Sequence, residues 1–174
     1  LATLPSLNNL SFEDVTLDRL VIDPAHSKLK MTTKALRVSE IQGLENLEVF
    51  QKETLSSQDP FFNEITGLEA IKFTNLNHKI ETLSFERDAP YGKPRVHPSR
   101  IEGLNNLPHL HVLDVSGGKV TSLEGFEHLT QLKKLSLSGS QFQSLVFTEN
   151  HQTIGVLTLY NFRLQNAQWI KPLT

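Results

Sequence analysis

The 174-residue chain contains no cysteine. That excludes disulfide frameworks, thiolate zinc sites and cysteine nucleophiles outright, and with them a terminal cap stapled by cystines. There is no run of about 18 apolar residues, so nothing reads as a membrane-spanning helix. An excess of charge of one sign is also missing. Seventeen Lys and Arg stand against 19 Asp and Glu, and the net charge of −2 gives no general attraction to nucleic acid or to an acidic membrane. The opening LATLPSLNNL has neither a basic start nor a continuous apolar stretch, so it does not read as an intact signal peptide. It also lacks an initiator Met, which predicts an upstream segment removed or never included. With 38% hydrophobic and 21% charged residues, the composition is that of a globular chain able to bury a substantial core.

What the chain has instead is leucine at short intervals. Between residues 101 and 137, Leu or a close substitute stands at 101, 104, 107, 110, 113, 115, 120, 123, 126, 129, 132, 135 and 137. The tight pairs Leu113/Val115 and Leu135/Leu137 lie 22 residues apart, and a fixed period of that size signals a repeat architecture. Taking Leu113 as an anchor, the same pattern surrounds Leu135 and Leu157 downstream, and Ile71, Phe50, Leu29 and Leu10 upstream. The anchors 10, 29, 50, 71, 113, 135 and 157 are spaced 19, 21, 21, 42, 22 and 22. The double interval predicts one degenerate or expanded coil between 71 and 113.

A Leu-x-Leu pair makes a short strand with alternate side chains on one side, and apolar residues at interval three suit a 3₁₀ or helical return segment. Such a coil cannot bury its own core and must stack on its neighbours. In LPHLHVLDVSGGKVTSLEGFEHL and LTQLKKLSLSGSQFQSL the chain resembles the leucine-rich repeat family. The resemblance implies an α/β-type repeat solenoid, a horseshoe with a parallel concave β-sheet and a convex side of 3₁₀ or short helical and partly β structure. Residues 1–174 then form a single repeat domain of about seven to eight coils, expected to be excised from a longer chain because neither end shows a polar cap. The family's Asn, which ties successive turns together, is absent at its expected position, where Val15, Lys34, Leu55, Leu76, Gly118, Ser140 and Phe162 stand. A second doublet follows some anchors: Leu20/Ile22, Leu83/Phe85 and Leu145/Phe147. These read as strands on the convex wall, an arrangement resembling repeats found mainly in bacterial proteins; Leu83/Phe85 has the alternative of anchoring the missing coil itself.

Little in the chain points to chemistry. Among the 7 histidines, His109 and His111 with Asp114 nearby form the best metal-like cluster, but no third ligand stands at a convincing spacing. No metal, cofactor or catalytic residue is expected: the Gly-containing turns at 116–118 and 138–140 lack the Walker spacing, and no nucleophile elbow or carboxylate pair is found. Asn9-Leu10-Ser11 is formally a glycosylation sequon, though Leu10 is a core anchor. Residues 86–100, ERDAPYGKPRVHPSR, hold three prolines and no leucine, and read as an inserted loop. The loop is either a solvated connection or a recognition loop offering Arg87, Tyr91, Lys93, Arg95 and Arg100.

The remaining candidate is the concave sheet itself. Positions beside each anchor place Lys28, Lys30, Gln51, Lys72, Asp114, Lys134, Ser136, Thr158 and Tyr160 on its outer face. A rigid curved sheet recognises a partner at little ordering cost. The expected function is therefore a non-enzymatic protein–protein interaction module, binding a protein partner on the concave face or on the 86–100 loop. The alternative is a structural or targeting repeat arm of a larger secreted effector, receptor or enzyme. A weaker third reading is anion binding through the loop's cations. The resemblance favours a bacterial, secreted or cell-surface setting.

Overall fold

The computed structural model describes residues 7–26, 28–46, 54–56, 65–85, 98–116, 120–138, 142 and 145–161. Thirteen short strands are found among them. In chain order these are β1 (Asn9–Glu13), β2 (Thr16–Val21), β3 (Lys30–Lys34), β4 (Leu36–Gln42) and β5 (Thr54–Ser56). Then come β6 (Ile65–Thr66), β7 (Ala70–Lys72), β8 (Thr82–Ser84) and β9 (Arg100–Glu102). The last are β10 (Val112–Val115), β11 (Ser122–Leu123), β12 (Lys134–Ser138) and β13 (Val156–Tyr160). The helical residues are short 3₁₀ turns, at Pro24–His26, Leu44–Asn46, Leu104–Asn106, Phe126–His128 and Glu149–His151.

All pairing is parallel. A two-stranded sheet joins β1 and β3, a five-stranded sheet runs β13-β12-β10-β8-β5, and a six-stranded sheet runs β11-β9-β7-β4-β2 with β6 also on β4. The fold is thus mostly parallel β-sheet with few helical residues. Among the described residues no helix is long and apolar enough to cross a membrane.

Strands of two to seven residues have little stability alone, so each is held by its register neighbours and by the core beneath. In β12, Leu135 and Leu137 point inward at 0% exposure between outward Lys134 and Ser138, the alternation a half-buried strand requires. Leu83, Leu113 and Leu135 from the five-stranded sheet share one buried cluster with Leu20, Ile41, Ile71, Ile101 and Leu123 from the six-stranded sheet. Burying each such side chain contributes about 1.5–3 kcal/mol.

The 3₁₀ turns lock one strand level to the next. Gly103 precedes the turn Leu104–Asn106 with φ +76°, and a Cβ there would lie 2.0 Å from the Phe73 carbonyl oxygen. Only glycine tolerates both the left-handed backbone and the close approach. Asn106 then donates from Nδ2 to the same Phe73 carbonyl at 2.9 Å. Gly43 and Asn46 repeat the device, Asn46 Nδ2 donating to the Ile22 carbonyl at 2.8 Å. Asn46 and Asn106 thus each tie a 3₁₀ turn to the backbone just after an earlier strand.

Several expected registers are corrected. Leu10 pairs with Met31, not Leu29. A slip of two residues leaves every side chain on its own face, so alternation alone does not detect it. Ile71 pairs with Ile41 and Ile101 in the six-stranded sheet, away from Leu113. Leu83 pairs with Leu113, so β8 anchors the level that the doubled interval left open. The strand paired with Leu83 contains Leu55, while the expected anchor Phe50 lies outside the described residues. Leu20 lies on β2 in the six-stranded sheet, opposite the wall of Leu113, as its doublet suggests. Leu145 and Phe147 form no strand; Phe147 is buried against the core instead.

Candidate functional site

The register places three rows across the outer face of the five-stranded sheet. One runs Thr54, Thr82, Val112, Lys134, Val156 and the next Ser84, Asp114, Ser136, Thr158. A third pairs Ser138 with Tyr160. Asp114, Lys134, Ser136, Thr158 and Tyr160 of the expected set are thus brought together. Val156 and Tyr160 are exposed at 50% and 44%, whereas Ser136 is only 3% exposed and contributes more to the floor than to a contact. Asp114 is half-buried, and its Oδ1 accepts the Ser116 N–H at 3.0 Å. One acid and one base on these rows leave the face close to neutral.

The other expected residues lie elsewhere. Lys28 is in the turn before β3, and Lys30 begins β3 in the two-stranded sheet. Lys72 sits on β7 in the six-stranded sheet, where its Nζ is 3.3 Å from Glu102. Arg100 begins β9 in that same sheet, 3.9 Å from Glu102, and is not a loop residue. Lys72 departs because Ile71 carries the inward pattern of an anchor but lies in the six-stranded sheet, and Arg100 because β9 begins inside the range expected to be loop. Gln51, Arg87, Tyr91, Lys93 and Arg95 lie outside the described residues.

The outer face of the six-stranded sheet is different in kind. Arg19 pairs with Glu40 at 3.2 Å, Gln42 donates to the same carboxylate, and Lys72 and Arg100 converge on Glu102. Lys34 and Glu13 pair similarly across β1 and β3. These charges answer one another, with each exposed pair worth under about 1 kcal/mol.

The histidines divide between surface and core. His78 and His109 approach with ring centroids 5.3 Å apart, and His111 Nδ1 lies 3.6 Å from Glu81. Even so, no group of three or more metal-ligating side chains occurs among the described residues. His151 is fully buried. Its Nδ1 accepts the Thr148 N–H at 2.9 Å and its Nε2 is 3.0 Å from the Phe126 carbonyl oxygen. Burial holds its pKa below the ordinary 6.5, with the Phe126 and Thr148 backbone contacts and then Glu127 pulling the other way. The sequence signal for this residue is Thr148 three positions before it, the spacing of a helix-capping pair.

A buried acid, Glu45, also serves the backbone. Glu45 is 3% exposed, and its Oε1 accepts the Thr74 and Asn75 N–H groups at 2.7 and 2.8 Å. No family model, curated protein or solved structure matches this chain.

Proposed function

We propose that the chain is a leucine-rich-repeat solenoid acting as a non-enzymatic protein-binding module, with its partner seated on the outer face of the five-stranded sheet. The observation that carries this reading is the contrast between the two walls. The six-stranded face carries the ion pairs Arg19–Glu40, Lys72–Glu102 and Arg100–Glu102 and exposes Val21 beside them, whereas the five-stranded face, almost without charge, presents Val112, Val156 and Tyr160 among small hydroxyl residues. Repeated parallel registers at 21, 22 and 30 residues, such as Leu10↔Met31, Leu113↔Leu135 and Leu83↔Leu113, support the solenoid. Exposed apolar and aromatic groups on a rigid sheet gain the most from contact with a partner's apolar side chains.

Site-specific photo-crosslinking tests the reading. A crosslinker at Thr158 should capture a protein that one at Ser39, on β4 of the other wall, does not. The double variant Val156→Asp, Tyr160→Ala should abolish that capture while the fold persists. Equal capture from both walls, or capture insensitive to the double variant, would move the site elsewhere.

A further inference from the structure

His151 closes the turn that leads into β13. Its ring lies flat on Phe126, with centroids 4.2 Å apart at 13°, and meets Phe147 edge-on at 5.5 Å and 76°. A carbonyl oxygen can only accept, so Nε2 carries the ring proton and donates it to Phe126, leaving Nδ1 bare to accept from Thr148. A second proton on Nδ1 would face the Thr148 N–H, donor against donor. The Thr148 hydroxyl, 3.3 Å away, is the neighbouring group able to accept it.

The charged surroundings offer little relief. Glu127, on the facing turn Phe126–His128, favours the protonated ring, but its carboxylate is 3.5 Å from His128. Glu149 is on the exposed side of the His151 turn itself. Among the described residues no ion pair reaches the ring. The neutral form is therefore the one this pocket accommodates.

The turn that the ring packs leads directly into β13. β13 is the end strand of its sheet order, and its Leu157 and Leu159 are only half-buried where Leu135 and Leu137 are at 0%. Beyond β-ladder bonds, the turn and the residues after it are tied back by Asn150 Nδ2 to the Glu127 carbonyl at 2.9 Å, by the Thr153 hydroxyl to the Leu132 carbonyl at 2.8 Å, and by His151, the one of these three that titrates. Segments with few buried contacts open first.

We infer that His151 is an acid-released latch: protonation expels its ring from between Phe126 and Phe147 and frees β13 from β12, removing Val156, Thr158 and Tyr160 from the outer face. The consequence for a partner rests on the binding reading above; the release itself does not. The direction follows from a folded-state pKa below 6.5. The latched state is fully favoured above pH 6.5 and loses ground as pH falls below it, until the folded value is passed.

Native-state hydrogen exchange on the intact chain without a partner tests this, with intrinsic rates corrected for pH. Between pH 7.5 and 5.5, protection of the β13 amides should fall several-fold, up to the roughly tenfold limit that one proton allows, while that of the β10 amides holds, because the release is local. In His151→Asn, which keeps a donor for the Phe126 carbonyl as Asn46 and Asn106 do for theirs, the β13 protection should be independent of pH. Equal losses in β10 and β13, no loss in β13, or the same loss in His151→Asn would each overturn the latch. None of these outcomes bears on partner capture at neutral pH, so the two proposals fail separately.

Discussion

A single residue's worth in this molecule depends on how closely one strand level approaches the next. Gly103→Ala puts a Cβ against the Phe73 carbonyl in a left-handed backbone, and should destabilise by more than about 2 kcal/mol. Gly155→Ala is the control, because the nearest atom to its Cβ is 4.0 Å away, and it should stay within about 0.5 kcal/mol. Urea denaturation of both variants measures the difference. Asn106→Ala leaves the Phe73 carbonyl without its side-chain donor and should cost about 1–2 kcal/mol, while exposed Asn105→Ala should change little. These asparagines stand on the 3₁₀ turns and not five residues after an expected anchor. Gly43 to Asn46 and Gly103 to Asn106 share a Gly-Leu-x-Asn spacing that was there to be read.

Strands and turns were legible as kinds, less so as partners. The doublets at Leu113/Val115, Leu135/Leu137 and Leu157/Leu159 each identify a strand, in the register their 22-residue spacing implies, whereas Leu145/Phe147 does not. Leu135→Ala removes a fully buried side chain between β10 and β13 and should cost about 2–5 kcal/mol, with denaturant midpoints as the readout. The wall to which a doublet belongs was not legible. Ile71 and Leu83 look alike in sequence, yet one packs from the six-stranded sheet and the other from the five-stranded sheet. Both walls bury the same kind of side chain in one shared core, so local pattern carries no label for the side of origin.

For the whole molecule, the consequence is an uneven distribution of charge. The six-stranded wall holds Arg19, Glu40, Lys72, Arg100 and Glu102 in mutual contacts, and the five-stranded wall is almost neutral. If the partner seats on the neutral wall, its Kd should change less than about threefold between 0.05 and 0.3 M salt, since few charges on this side are screened. Titration calorimetry across that range checks it. A steep salt dependence would point instead to charged residues outside this face.

The sequence by itself determined that the chain is built of short strands and tight return turns, because a period of about 22 residues with apolar pairs has few other ways to bury itself. It also ruled out any chemistry that needs cysteine. Only the tertiary structure decided which residues share a surface. It put Lys72 on the other sheet, placed Arg100 on a strand of that sheet and not in the loop, gave Leu83 its own level, and enclosed His151 between two phenylalanines. The reason is physical: alternation says whether a side chain points in or out, but register and wall are set by hydrogen bonds between residues 21 to 30 positions apart.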